Sequence, residues 1–161
     1  MKRVQYDRYG GPNEMYLANY DLPPIGDTQV CVSVRAAAVN PFDWKLRRGE
    51  MKLVTGGRFP KVMGTDFAGV VEAVGRGVVD FRIGDEVFGS VDFRLSGAFA
   101  EVVQVDSRHL AKKPSQLSFE EAACLSIPAA TAWVAILDQA RARPGARIFI
   151  NRCGGAVGAL A

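Results

Sequence analysis

Residues Phe67-Ala-Gly-Val-Val-Glu-Ala-Val74, closed by Gly75-Arg-Gly77, decide the fold class. The run is short, valine-rich and bounded by glycine, which reads as a β-strand. Upstream, Gln29-Val-Cys-Val-Ser-Val-Arg35 alternates polar and apolar residues, as a half-buried strand does. Downstream, Asp85-Glu-Val-Phe88 sits between Gly84 and Gly89, and Phe99-Ala-Glu-Val-Val-Gln-Val105 resumes the alternation. Pro23-Pro24-Ile-Gly26 and Pro114 mark turns. Several short strands at this spacing predict a barrel or a strongly bent sheet.

The character of the chain changes near Pro114. Ser118-Phe-Glu-Glu121 fits a capping box, with the Ser hydroxyl taking a free N–H and Glu121 reaching back. A short helix follows through Leu125. Pro128 suits the first turn of a second helix, running past Trp133, read as a core residue, to about Gln139. Arg141-Ala-Arg-Pro-Gly145 breaks it. Ala146-Arg-Ile-Phe-Ile150 is then a β-rich run leading into Cys153-Gly-Gly-Ala-Val-Gly158. Strand, glycine turn and helix start, in that order, form the opening of a dinucleotide-binding βαβ unit. Its glycines let backbone approach a pyrophosphate, whose charge the following helix start favours. An ordinary turn is the alternative reading. A complete domain of that kind would need roughly 130 to 150 further residues.

Composition narrows the function classes. The 161 residues are 48% apolar and 23% charged, ordinary values for a packed core and not for a disordered chain. No apolar run approaches the roughly 20 residues that span a bilayer, and MKRVQYDRYG lacks the apolar stretch of a secretory signal. The net charge of +3 is spread along the chain and does not argue for nucleic acid or membrane binding. Cys31, Cys124 and Cys153 are too few and too far apart for a disulfide framework, so a cytoplasmic protein is expected.

Four ordered stretches carry a family resemblance. They are Val39-Asn-Pro-Phe-Asp43 with Arg47 and Gly49, Gly64-Thr-Asp-Phe-Ala-Gly-Val-Val-Glu-Ala-Val-Gly75, Gly84-Asp-Glu-Val-Phe-Gly89, and Glu121-Ala-Ala with Thr131-Ala-Trp133. Together they resemble the medium-chain dehydrogenase/reductase superfamily, specifically its zinc-free quinone oxidoreductase branch. The likeness runs from Met1 to Gly158. It implies a mainly β chain with α elements: a GroES-like bent β-barrel catalytic domain over residues 1–125. A helix pair and the first strand of a Rossmann domain that binds NADPH would follow the barrel, residues 126–161 supplying the connecting helix and the truncated start of that domain.

The resemblance also implies site residues. In the zinc-dependent branch a Cys stands where Asn40 is, and a His-Glu pair where Thr65-Asp66 is. A catalytic zinc takes three N, S or O side chains; neither these positions nor His109, read as a surface residue, offer such a set, so no metal is expected. Asn40 would lie beside nicotinamide and substrate, its amide able to donate to a carbonyl, with Pro41 keeping it extended. An ordinary turn-forming Asn-Pro pair is the plain alternative. Asp43 matches an acidic family position that orders the loop, or serves as N-cap of a Trp44–Arg48 segment. Lys45 stands where some family members place a substrate-facing tyrosine, its ammonium able to bind an oxyanion or donate a proton, or is an ordinary exposed lysine. Thr65 and Asp66 would stabilise a tight loop near the cleft, Thr65 with a direct substrate role. Thr131 resembles a threonine contacting the nicotinamide carboxamide, or is a helix Thr bonding its own backbone. Gly154, Gly155, Val157 and Gly158 would meet the pyrophosphate, with Arg152 where relatives commonly carry Gly; Arg does not take positive φ cheaply and would either crowd the pyrophosphate path or supply a phosphate contact.

Two functions follow as expectations. The first is a zinc-independent, NADPH-dependent reductase passing hydride to a quinone or enone, present here as its catalytic half, inactive alone, and prone to self-association or dimer formation through apolar surface at Ile127–Ile150. The alternative is a non-catalytic GroES-like binding or assembly module, since fold alone does not fix function.

Overall fold

A computed structural model describes residues 1–92 and 97–161. Its strands are β1 (Lys2–Tyr6), β2 (Tyr16–Asn19), β3 (Gln29–Ala38), β4 (Lys61–Val62), β5 (Asp66–Val74), β6 (Glu86–Ser90), β7 (Val102–Asp106) and β8 (Leu110–Lys112). Its helices are α1 (Pro41–Arg48), α2 (Lys52–Thr55), α3 (Phe119–Ala123), α4 (Ser126–Trp133) and α5 (Ala156–Leu160), with a π-helical turn over Val134–Gln139. The strands form two open antiparallel sheets, ordered β2-β1-β4 and β7-β3-β5-β6-β8. The short strands expected from the sequence form antiparallel sheets, two of them, and not a closed barrel. Backbone bonds join them: Val4 N–H donates to Phe99 O at 2.8 Å, and Phe99 N–H to Met63 O at 3.0 Å.

Residues 66–74 form the central strand of the five-stranded sheet, β5. Its pleat sends Phe67 and Val71 to one face, where Val30, Val32, Val87, Val103 and Val105 close the main core. Ala68 points the other way and meets Ala122 and Ala123 of α3. Strand β5 is therefore covered on both faces, and each large apolar side chain buried there contributes about 1.5–3 kcal/mol. The α3 capping box forms as expected: Glu121 N–H donates to Ser118 Oγ at 3.1 Å and Ser118 N–H to Glu121 Oε2 at 2.8 Å.

Three readings are corrected. Helix α1 begins at Pro41 with Asn40 as its cap, so Asp43 is its third residue and not the N-cap of a Trp44–Arg48 segment. Trp133 is 63% exposed and is no core residue. Residues 146–150 form no strand, because among the described residues no neighbour supplies a ladder of hydrogen bonds there. The apolar surface expected between 127 and 150 is present, with Val134, Leu137, Ile148 and Phe149 exposed. No helix among the described residues is long and apolar enough to cross a membrane.

Candidate active site

The chain leaves β3 and enters α1 through Asn40, whose φ of −101° and ψ of 153° are the extended backbone that Pro41 demands. Proline costs nothing at the first helical position, where the N–H would be unpaired in any case. Asn40 N–H donates to Asp43 Oδ2 at 2.7 Å, closing the turn. Asp43 is buried, and its other oxygen accepts from Thr65 Oγ1 at 3.1 Å. The Asn40 side chain turns inward: Nδ2 donates to Asp66 Oδ2 at 3.0 Å and to Thr65 Oγ1 at 3.4 Å. The amide nitrogen is thus held within the fold, closely by Asp66 and at longer range by Thr65.

Asp66, fully buried on the first residue of β5, reaches across to α4. Its Oδ2 also accepts from Ile127 N–H at 3.2 Å. The cap position of α4, Leu125, makes no side-chain bond, so Asp66 satisfies one of that helix's free N–H groups from another element. Ser126 Oγ adds a bond to Gly89 O at 2.9 Å. One carboxylate thereby ties the sheet, the Asn40 turn and α4 together.

Burial pushes the Asp66 carboxyl up to about 6; bonds from Ile127 and Asn40 oppose the rise, and the Asp43 charge adds to it. Burial likewise raises Asp43, against bonds from Asn40 N–H and Thr65. The folded state therefore holds the Asp66 proton more tightly than the unfolded chain, whose value is 3.8. The resulting stabilisation is full below the unfolded value and is lost as pH rises through about 6. Between pH 5 and pH 7 the unfolding free energy should fall by about 1 kcal/mol. The urea midpoint is expected to be lower at pH 7 than at pH 5, with Asp66→Asn flattening the difference; an equal or higher midpoint at pH 7 would contradict it.

The glycine turn lies across from Asn40. Arg152 adopts φ +57°, the left-handed conformation that disfavours a side-chain-bearing residue, at a cost of about 1–2 kcal/mol. Gly155 caps α5. A Cβ on Gly158 would lie 2.7 Å from Cys153 Cα and 2.9 Å from Arg152 O, so this close backbone approach needs glycine. Between turn and α4 lies a cleft of about 740 Å³, walled by Asn40, Ile127, Phe149, Gly155, Val157 and Gly158. Asn40, Asn151 and Arg152 are the polar residues among those lining it.

The sequence-predicted residues divide between two sides of this cleft. Asn40, Gly155, Val157 and Gly158 line it, while Asp43, Thr65 and Asp66 lie beneath Asn40. Lys45 is not brought in: it is exposed, with its ammonium 5.7 Å from the Trp44 ring centre. Thr131 lines a separate groove with Ala130 and Val134, and its hydroxyl donates to Ile127 O at 2.7 Å, the backbone bond of a helix-interior threonine. Gly154 lies outside the cleft lining. His109 is exposed. Sequence reading missed Ile127, whose backbone N–H meets Asp66, and Phe149, placed in a strand; nothing in a one-dimensional pattern marks either contact. No group of three His, Cys, Asp or Glu side chains that could hold a metal ion occurs among the described residues.

Comparison with known proteins places this geometry in a family. Residues 26–115 match the alcohol dehydrogenase GroES-like domain. The chain is 37% identical over 167 residues to a 2-methylene-furan-3-one reductase of Solanum lycopersicum, covering 99% of this chain and 42% of that protein. It is 36% identical over 167 residues to an NADPH-dependent alkenal/one oxidoreductase, chloroplastic, of Arabidopsis thaliana, covering 99% and 43%. The solved quinone oxidoreductase of Coxiella burnetii superposes with a TM-score of 0.90 at 33% identity, over 99% of this chain and 51% of that one. The chain thus spans about half the length or less of these relatives. It belongs to the alcohol dehydrogenase GroES-like domain family, within the medium-chain dehydrogenase/reductase superfamily.

Proposed function

We propose that residues 1–161 are the substrate-side half of an NADPH-dependent reductase of conjugated carbonyls, a quinone or an enone, working without zinc. Residues 1–125 form the catalytic domain in this reading, and 126–161 begin the nucleotide-binding one. The observation that carries it is the cleft itself, an apolar slot with the Asn40 carboxamide at one wall and a glycine turn at the other. Such a slot fits a flat, weakly polar ring and rejects water. NADPH, once bound, supplies the hydride. Ile127, Phe149 and Val157 would enclose the reacting rings, and Asn40 would fix their polar edge. Gly155 and Gly158 would let backbone approach the cofactor, with the Arg152 guanidinium suited to a phosphate. NADPH is favoured over NADH by the relative named for it.

Metal-free chemistry is supported by the donors at the positions concerned. Asn40, Thr65 and Asp66 offer an amide, a hydroxyl and a buried carboxylate already bonded among themselves, not the open set of N, S or O ligands a catalytic zinc takes. The exposed apolar residues of 133–149 would be covered by the remainder of a nucleotide-binding domain. The 161-residue chain alone is then expected to turn over no substrate and to sediment as species heavier than 17.4 kDa; a clean monomer at high concentration would count against that surface. The reading is tested by following NADPH absorbance in the longer protein with a panel of quinones and enones. Acceptor-dependent oxidation is expected, and none with any acceptor would favour a binding module instead.

A further inference from the structure

We infer that the recess beside the last turn of α1 is a phosphate site, in which the Arg47 guanidinium takes a phosphate monoester or inorganic phosphate. Arg47 is 7% exposed, and an arginine buried that deeply is almost always paired with an acid. Here none of the ion pairs among the described residues includes it. Part of the side chain has a plain structural job: Nε donates to Gly10 O at 3.3 Å, while Gly10 N–H donates to Arg47 O at 3.0 Å. That two-way clasp fixes the turn before Pro12 to α1. The far end of the guanidinium is served less well. Nη1 donates to Met15 Sδ at 3.4 Å, a weak acceptor, and the remaining N–H groups meet no protein acceptor among the described residues.

The same side chain lines a recess of about 380 Å³, together with Gly11, Pro12, Trp44 and Arg48. None of these residues lines the cleft between Asn40 and the glycine turn, so nothing in this inference rests on the reductase reading. The acids near it in sequence are already taken. Glu14 pairs with Arg8 at 2.5 Å, Asp7 accepts from the Tyr16 hydroxyl at 2.8 Å, Glu50 lies 3.8 Å from Arg48, and Asp43 is held by Asn40 and Thr65. Arg48 and Lys45 both sit against the Trp44 ring, at 5.4 and 5.7 Å from its centre. Arg47 and Lys45 are thus left with no acidic partner among the described residues. A phosphate group carries about 1.5 to 2 negative charges at pH 7, which matches two unpaired cations better than a carboxylate does. Its oxygens also suit the planar fork of a guanidinium, which binds them in pairs. The Trp44 indole beside it offers apolar surface to the organic part of a monoester.

The test uses the two tryptophans of the chain. An NMR spectrum of the 161-residue protein carries one indole N–H signal from Trp44 at the recess and one from Trp133 on α4. Titration with sodium phosphate and with phenyl phosphate is run against sodium chloride at matched ionic strength. The Trp44 signal is expected to move saturably with a Kd on the order of 1 mM, while Trp133 stays still. A tighter Kd for phenyl phosphate assigns the site to an organic monoester, and equal values assign it to the inorganic ion. Arg47→Gln should abolish saturation, and Arg48→Gln, whose side chain is 59% exposed, should raise Kd about two- to fivefold. A Trp44 signal that stays still, that follows chloride equally, or that saturates unchanged in a folded Arg47→Gln variant would overturn the assignment. Sodium benzoate binding as tightly as phenyl phosphate would overturn the choice of phosphate. Should Arg47→Gln fail to fold, the wild-type Arg47 Nε–H signal decides: it must move with the Kd read at Trp44, and a still signal overturns the site. No cofactor or acceptor enters this experiment, so absent reductase activity would sink the functional reading and leave this one standing.

Discussion

Gly64→Ala is expected to destabilise the protein by about 3 kcal/mol or more, enough to leave most of the chain unfolded or insoluble at 37 °C. Gly64 has φ +88°, and a Cβ there would lie 2.3 Å from Phe99 Cδ1 and 2.7 Å from Phe99 N. The ring can move but the backbone nitrogen cannot, because Phe99 N–H is bonded to Met63 O and Val4 N–H to Phe99 O. The substitution combines an unfavourable backbone conformation with a clash at the seam of the two sheets. It also strikes one residue before Thr65 and two before Asp66, so any folded fraction should show a displaced Asn40 turn. Thermal unfolding of the variant measures the loss, and a melting temperature within 2 °C of wild type would contradict this packing.

Asn40→Ala in the longer protein is expected to lower kcat/KM by about 100-fold, the scale seen when a positioning contact at the reacting centre is lost. The fold should survive, since the residue is half-buried at a helix cap and Pro41 remains to start α1. The variant strands the Asp66 carboxylate without one donor, so a stability loss of about 1 kcal/mol should accompany it. Steady-state kinetics with NADPH and one good acceptor read the effect. Activity within twofold of wild type would remove Asn40 from the site.

What the sequence made legible was local. Strands β3 and β5 announced themselves by alternation and glycine boundaries, and the α3 capping box by four consecutive residues. Strands β1 and β4 did not: β1 is mostly charged and polar, β4 has two residues, and their pairing of Gln5 with Val62 is set by contacts far apart in sequence. Helix α1 carried its start signal in Asn40-Pro41, yet Asp43 competes for the cap because an acidic residue suits either the cap or the third position. The family resemblance brought in Lys45, but a helix places neighbouring residues about 100° apart. Leu46 and Arg47 take the buried face, and Lys45 is left in solvent. The link from Asp66 to Ile127 spans 61 residues and no motif encodes it; it became visible only when sheet and helix were set side by side.

A chemical-shift titration of the 161-residue chain with NADPH separates the alternatives. If the slot between Asn40 and the glycine turn is the nicotinamide end of a cofactor site, weak, saturable perturbations are expected at Asn40, Ile127, Gly155 and Gly158, smaller with AMP alone and absent from β1 and β2. Shifts confined to other surfaces, or none at these four residues at tens of millimolar NADPH, would contradict it.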